Sequence, residues 1–144
     1  MTGSMHRVLV VDDDFEVRGM FSAAFELQGI DADVAENGIE AMRLLRLYPD
    51  RYCLLVLDLN VPAPDGIRIA QHVREFKPDL PVIVLTDDDE AAERIRNAEL
   101  ARTVSLIIRK PTVPVAIVGY MHSHCARRVR RADREDVADR ETRV

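Results

Sequence analysis

Five short apolar runs lie along this 144-residue chain, and they predict five β-strands. The runs are Val8–Val11, Ala32–Ala35, Leu54–Leu57, Val82–Leu85 and Val104–Ile108. Four of them are almost continuously apolar, which is typical of strands that are covered on both faces in a parallel sheet. The second run alternates apolar with polar residues, so we expect it at an edge of the sheet.

Between and after these runs, apolar residues recur at helical spacing and predict five helices. The segments are Phe15–Leu27, Ile39–Leu47, Ile67–Phe76, Glu90–Leu100 and a last helix from about Val113. Gly29 is expected at the end of the first helix, and Asp89 is expected to cap the start of the fourth. Strand and helix therefore alternate five times. This indicates an α/β fold, a doubly wound (βα)5 sandwich with a five-stranded parallel sheet in the flavodoxin-like order 2-1-3-4-5.

The composition is that of one ordinary domain. Hydrophobic residues make up 47% of the chain and charged residues 31%, and no apolar run approaches the ~20 residues of a membrane helix, so no membrane association is expected. The two cysteines, Cys53 and Cys125, form no disulfide framework, and Cys53 is interpreted as a small core residue. These features favour a reducing cytoplasm. Residues 1–4, ahead of a second methionine at Met5, are a candidate cloning scar.

The charge of the chain is unevenly distributed. The net charge of −5 divides into +2 on residues 127–144, which hold seven arginines and five acids, and −7 on residues 1–126. An acidic body argues against direct nucleic-acid binding, because phosphate backbones attract lysine and arginine. The segment 127–144 has almost no apolar stripe, so it is expected either to extend the last helix into solvent or to begin a linker.

A cluster of acids follows two of the predicted strands. Asp12, Asp13 and Asp14 follow the first strand, and Asp58 follows the third. In the expected order these strands are neighbours about 4.8 Å apart, and ligands bind at this carboxyl edge. Like charges about 4 Å apart repel by roughly 4 kcal/mol at an effective dielectric of 20, so the cluster needs a cation or a raised pKa. Carboxylate oxygens in an open cleft suit Mg²⁺, whereas Asp14 is expected to cap the first helix.

Two more polar residues end strands at the same edge, Thr86 after the fourth strand and Lys110 after the fifth. A hydroxyl donates a hydrogen bond to a phosphoryl oxygen, and an ammonium pairs with carboxylate and phosphate. A carboxylate in such a cleft is a nucleophile for phosphoryl groups and forms an acyl phosphate. These positions together predict phosphoryl transfer to Asp58, in which the protein mainly positions groups and neutralises charge.

The sequence resembles the receiver domain of two-component response regulators, the CheY-like domains, over residues 5–126. The resemblance implies a domain that accepts a phosphoryl group from a sensor histidine kinase or a phosphotransfer protein and switches an output domain or partner protein. It rests on four segments whose order and spacing together are specific: VLVVDDD (Val8–Asp14), LDLNVPAPDG (Leu57–Gly66), LT (Leu85 and Thr86) and KP (Lys110 and Pro111).

The resemblance also implies a role for each acid. Asp58 would be the phosphoacceptor and would share in binding Mg²⁺. Asp12 and Asp13 would hold the ion, Asp13 directly and Asp12 largely through water, and Asn60 would offer its backbone carbonyl oxygen. The Asp-Gly pair at the end of the second segment would open the next helix.

Thr86 and Lys110 would serve the phosphorylated state. Thr86 would move to bond the phosphoryl group, and Lys110 would contact both the phosphate and Asp58. The sequence departs from the family nearby. Ile107 stands where many receivers carry an aromatic residue that swings inward, so we expect it to pack in the core instead. Asp87 stands where a small residue usually follows the threonine, and its carboxylate would either weaken phosphoryl binding or cap a helix.

Asn60 and Asp88 occupy positions that tune self-dephosphorylation in this family. An amide and an acid there resemble the faster, chemotaxis-like receivers, so a short-lived phosphoryl state is expected. The domain would catalyse its own phosphorylation and dephosphorylation without being an enzyme that acts on a separate substrate.

Other functions stay open from the sequence. A haloacid-dehalogenase-type phosphatase would use a strand-end Asp-x-Asp, which Asp12 and Asp14 match superficially, but it would leave Asp58 without a role. A receiver fold that works by contacts alone, without phosphorylation, would explain the atypical region between Thr86 and Lys110, but not the complete acidic pocket. Homodimerisation through the last helices is a further expectation.

Overall fold

The structure is a computed structural model in which residues 7–97, 104–110 and 116–120 are described. Five parallel strands form one sheet in the order β2-β1-β3-β4-β5, so the predicted fold class and strand order are confirmed. The strands are β1 (Arg7–Val11), β2 (Ala32–Ala35), β3 (Tyr52–Asp58), β4 (Val82–Thr86) and β5 (Val104–Arg109). The helices are α1 (Phe15–Leu27), α2 (Gly38–Leu47), α3 (Gly66–Phe76), α4 (Asp89–Asn97) and a helical segment, α5, at 116–120.

Several expectations concern residues outside the described ones. These are the cloning scar at residues 1–4, the end of the fourth helix at Leu100, the start of the last helix near Val113, and the segment 127–144. Within the described residues, no helix combines the length and apolar character that a membrane span requires.

The central strand β3 shows why the chain forms a two-sided sandwich. All seven of its residues are buried, and consecutive side chains point to opposite faces of the sheet. Leu54 and Val56 join a cluster that contains Phe21 of α1, whereas Leu55 and Leu57 join a second cluster with residues of α2, α3 and α4. A continuous apolar run is required because each face of the sheet buries every second side chain under helices.

Local capping sets the ends of the helices. Gly29 follows α1 with a φ of 70°, a left-handed conformation that glycine adopts without steric cost. Asp88 caps α4, since its carboxylate accepts from the backbone N–H groups of Glu90 and Ala91 at 3.0 and 3.3 Å. The prediction of Asp89 as the cap was wrong by one residue, because Asp89 is already the first residue of the helix.

The predictions for the two edge strands have different outcomes. β2 lies at one edge, as its alternating pattern predicted. β5 lies at the other edge, and the expectation that it is covered on both faces was wrong, because Ser105 and Leu106 are exposed. Ile107 is partly buried against the core, in agreement with the prediction. Helices that pack over the centre of a sheet cover an edge strand only in part.

Cys53 is buried in β3 among apolar side chains, as predicted. It is disulfide-bonded, however, so the expectation that the cysteines form no disulfide framework was wrong for Cys53. Cys125, the other cysteine of the sequence, lies outside the described residues. An apolar sequence context does not distinguish a thiol from a disulfide, because both forms of sulfur pack as small apolar groups.

Candidate functional site

The carboxyl ends of the strands meet at one edge of the sheet, and the predicted site residues stand there. The register of β1 and β3 pairs the residue before Asp12 with the residue before Asp58, so these two aspartates lie side by side. The backbone N–H of Lys110 donates to the carbonyl oxygen of Thr86 at 3.0 Å, which brings the ends of β4 and β5 together. The sheet thereby gathers residues that are up to 98 positions apart in the sequence.

Asp12 is fully buried, and each of its carboxylate oxygens has a partner. Oδ1 accepts from the backbone N–H of Asp14 at 2.9 Å, and Oδ2 accepts from Lys110 Nζ at 2.9 Å. Its own backbone N–H donates to the carbonyl oxygen of Ala35 at 3.1 Å, which ties it to the end of β2. A buried carboxylate is tolerated when it is paired and hydrogen-bonded in this way.

Asp58 is the last residue of β3 and is 3% exposed. Its Oδ1 accepts from the backbone N–H of Asn60 at 3.0 Å, and its Oδ2 accepts from Lys110 Nζ at 3.1 Å. One ammonium therefore pairs with both buried carboxylates, Asp12 and Asp58. Charge-assisted hydrogen bonds of this kind offset the cost of ending a hydrophobic strand on an acid.

Burial and neighbouring charges shift the pKa values of this group. Burial raises the pKa of Asp58, and the charge of Asp12 adds to the rise, while the hydrogen bonds from Asn60 and Lys110 oppose it without cancelling it. Burial alone would lower the pKa of Lys110, but its hydrogen bonds to Asp12 and Asp58 outweigh burial and raise it. Lys110 is therefore cationic, and the Asp58 carboxylate is more basic than that of an exposed aspartate.

Asp13 completes a group of three carboxylates. One oxygen from each of Asp12, Asp13 and Asp58 lies within 4.8 Å of the others, with Asp13 exposed and the other two buried. The single ammonium of Lys110 pairs with two of these acids, so negative charge remains in excess. Carboxylate oxygens gathered in this way are the donor type that Mg²⁺ prefers, so the residues present fit the ion expected from the sequence.

Thr86 and Asn60 lie at the site with their side chains engaged in the loops around it. Thr86 Oγ1 accepts from the backbone N–H of Asp88 at 3.0 Å and donates to the carbonyl oxygen of Asp88 at 3.4 Å. Asn60 donates its backbone N–H to Asp58, while its side-chain Nδ2 donates to Asp87 Oδ1 at 3.4 Å. Since the carboxylate of Asp88 caps α4, Asp87 rather than Asp88 is the acid that faces Asn60.

Close packing behind Asp58 constrains the loop that carries Asn60. A Cβ on Gly66 would lie 2.6 Å from Leu59 Cα and 2.8 Å from the carbonyl oxygen of Asp58. Asp65 caps α3 by accepting from a backbone N–H in the first turn at 3.1 Å. The Asp-Gly pair therefore allows α3 to begin directly against the end of β3.

Asp14, the cap of α1, and Arg18, within that helix, also contribute to the geometry of the site. Asp14 caps α1 as predicted, accepting from the backbone N–H of Glu16 at 2.9 Å, so its carboxylate faces its own helix. This removes support for a phosphatase that pairs Asp12 with Asp14. Arg18 was missed, although its Nη1 donates to the carbonyl oxygen of Asp12 at 2.9 Å. No sequence signal marks it, because a single arginine on an amphipathic helix is an ordinary surface residue.

Comparison with known proteins points to one family. The family model for the response regulator receiver domain matches residues 8–126. The chain is 33% identical over 132 residues to Response regulator MprA of Mycobacterium avium, which covers 92% of this chain and 56% of that protein. It is 35% identical over 96 residues to the Transcriptional regulatory protein CpxR homolog of Haemophilus influenzae, covering 67% of this chain and 40% of that protein. The chain thus spans 56% of the length of the first of these relatives and 40% of the second.

Solved structures agree with the family match. The receiver domain of the Francisella response regulator 1452 has a TM-score of 0.73 at 29% identity, covering 84% of this chain and 97% of that one. A CheY-like receiver domain from Methanospirillum hungatei has a TM-score of 0.72 at 19% identity, covering 84% and 94%, and shows a likeness of fold. With its strand-end acids, its parallel strand order and a family match over most of its length, this chain belongs to the response regulator receiver domain family of two-component systems.

Proposed function

We propose that this chain is the phosphoacceptor of a His-Asp phosphorelay and that Asp58 receives the phosphoryl group. The observation that carries the proposal is the buried carboxylate of Asp58 beside a second buried carboxylate, Asp12, with the ammonium of Lys110 bonded to both. This arrangement combines a nucleophile, negative charge that attracts a divalent cation, and a cation for phosphoryl oxygens.

In the proposed transfer, a carboxylate oxygen of Asp58 attacks the phosphorus of a phosphohistidine on a histidine kinase or phosphotransfer protein. A P–O bond to Asp58 forms as the P–N bond breaks, and the leaving imidazole nitrogen takes up a proton. Lys110 then pairs with a phosphoryl oxygen, and the Thr86 hydroxyl exchanges its bonds to Asp88 for one to the phosphoryl group.

Loss of the phosphoryl group follows the same geometry. Water attacks the phosphorus, the P–O bond to Asp58 breaks, and inorganic phosphate leaves while the aspartate returns to its free form. The chain in this way catalyses its own phosphorylation and dephosphorylation. A short-lived phosphoryl state is still proposed, but with Asp87 rather than Asp88 facing Asn60, because the carboxylate of Asp88 is engaged in capping α4.

Asp12, Asp13 and Asp58 would hold Mg²⁺ through their carboxylates, and Asn60 through its backbone carbonyl oxygen. When bound, the ion neutralises charge on the phosphoryl oxygens. The contribution of the chain is to hold the three carboxylates within 4.8 Å of one another while Lys110 remains at Asp58.

The partners that the proposal requires are a phosphodonor protein and a receiver of the signal. The longer curated relatives are named Response regulator MprA and Transcriptional regulatory protein CpxR homolog, which supports an attached output domain or a separate partner protein. We also propose that the domain forms a homodimer, and we propose no direct binding of nucleic acid by this domain. The cytoplasm is the proposed location on the basis of the family alone, because the disulfide at Cys53 removes the support that the cysteines gave to a reducing compartment.

The test is phosphorylation with phosphoramidate in the presence of Mg²⁺, followed by mass spectrometry of the intact chain. We expect the wild type to gain one phosphoryl group that hydroxylamine removes, and Asp58→Asn to gain none. Asp50→Asn is the matched control, since Asp50 precedes the opposite end of β3 and is exposed. The proposal is wrong if the wild type stays unlabelled or if Asp58→Asn is labelled to the same extent.

A further inference from the structure

Asp87 holds a negative charge at the mouth of the site. It directly follows Thr86, it is exposed, and its Oδ1 accepts from Asn60 Nδ2 at 3.4 Å. The same Asn60 donates its backbone N–H to Asp58, so one residue connects Asp87 to the candidate phosphoacceptor. Asp87 also lines a cleft of about 420 Å³ together with Lys110, on the side of α1.

The stability of the fold does not require a carboxylate at position 87. The capping of α4 is done by Asp88, which bonds two backbone N–H groups of the first turn. The bond from Asn60 to Asp87 is long and lies between exposed groups, so it contributes little to stability. What Asp87 adds is charge. Three carboxylates are already gathered within 4.8 Å of one another, the ammonium of Lys110 pairs with two of them, and Asp87 adds a fourth carboxylate beside Asn60.

We propose that Asp87 is a specificity-determining residue whose carboxylate discriminates against small dianionic phosphodonors. The inference rests on the proposed function, because it concerns which donors reach Asp58. A free dianion meets the repulsion of Asp87 without a docked protein surface whose contacts could offset it. A phosphohistidine on a protein partner meets the same repulsion, but the contacts of the docked partner offset it. Asp87 therefore insulates the site from small phosphorylated metabolites while it leaves protein donors effective.

The test compares two small donors that differ in charge. Acetyl phosphate is a dianion near neutral pH and releases acetate when an Asp58 oxygen takes its phosphoryl group. Phosphoramidate carries one net negative charge and releases ammonia once its nitrogen is protonated. For Asp87→Asn we expect phosphorylation by acetyl phosphate to be roughly three- to tenfold faster than in the wild type, and phosphorylation by phosphoramidate to rise by a smaller factor.

Three comparisons test whether the charge of Asp87 causes the difference in phosphorylation rate. Asp87→Glu should keep the slow rate with acetyl phosphate, Asp87→Ala should match Asp87→Asn, and Asp50→Asn, which changes the net charge equally, should match the wild type. At about 1 M salt, where the Debye length is roughly 3 Å, the rates of wild type and Asp87→Asn should converge.

The outcomes separate this inference from the proposed function. If the wild type is phosphorylated at Asp58 and Asp87→Asn reacts with both donors at wild-type rates, the role of Asp87 is refuted and the phosphoacceptor stands. If only Asp87→Ala gains rate, side-chain bulk rather than charge is the cause, and the inference is also refuted. If neither donor labels the wild type or any Asp87 variant, both proposals are wrong.

Discussion

Replacing Lys110 by methionine tests whether its ammonium makes the buried carboxylates tolerable. Nζ lies 2.9 Å from Asp12 Oδ2 and 3.1 Å from Asp58 Oδ2, and these two side chains are 0% and 5% exposed. At such distances and an effective dielectric of 20, each pair attracts by about 5 kcal/mol, but the cost of removing the charges from water offsets most of this. Because Lys110 is itself 23% exposed, we expect Lys110→Met to lower the free energy of unfolding by about 2–4 kcal/mol.

The loss should depend on Mg²⁺, because a bound divalent ion would supply the positive charge that the variant lacks. Urea unfolding followed by circular dichroism, in EDTA and again with excess Mg²⁺, measures both values. We expect the full loss in EDTA and a smaller loss with the ion. Arg109→Met is the matched control, since Arg109 precedes Lys110 but pairs with Asp89 at 3.3 Å between exposed side chains, which contributes little to stability.

Two results would refute this reasoning. A loss below about 1 kcal/mol in EDTA would mean that the ammonium does not offset the burial of the two acids. An equal loss with and without Mg²⁺ would mean that no ion binds close enough to replace the lysine, which would also count against the proposed metal site.

Three further predictions concern Asp13, Asp33 and Gly66. Asp13→Asn removes one of three clustered charges, so in EDTA it should raise the free energy of unfolding by up to about 1 kcal/mol. The same variant should bind Mg²⁺ more weakly in calorimetry. A loss of stability in EDTA would contradict this prediction. Asp33 accepts from Arg7 Nη1 at 2.8 Å and from the Tyr52 hydroxyl at 2.7 Å; burial alone would raise its pKa, but these bonds outweigh burial and lower it. The stabilisation by Asp33 is therefore present above its unfolded-state pKa and is lost as pH falls through its folded-state pKa. We expect Asp33→Asn to lower the free energy of unfolding by about 1–2 kcal/mol at pH 7 and not at all in strong acid. A difference between wild type and variant that stays constant across pH would contradict this prediction. Gly66→Ala should cost about 1–3 kcal/mol and slow phosphorylation of the chain, since its Cβ would lie 2.6 Å from backbone; wild-type unfolding and labelling would disprove the close approach.

Local patterns of the sequence determined the elements of this protein. Apolar runs predicted all five strands to within two residues at their starts, and α1 was predicted with its observed bounds, Phe15–Leu27. The acids at the carboxyl ends of β1 and β3 were also visible, because parallel strands bring such ends to one edge of a sheet. These predictions succeed because periodicity, glycine turns and helix caps depend on neighbouring residues.

The tertiary structure alone decided the contacts between residues far apart in the chain. Nothing local shows that Lys110 bonds Asp12 as well as Asp58, that Asp87 reaches Asn60 while its neighbour caps α4, or that Cys53 is in a disulfide. Such contacts depend on strand register and on the path of each loop, which the packing of the whole core sets. The sequence by itself therefore determined which chemical groups stand at the sheet edge, and the fold decided which of them face one another, because distance and burial arise only when the strands are assembled.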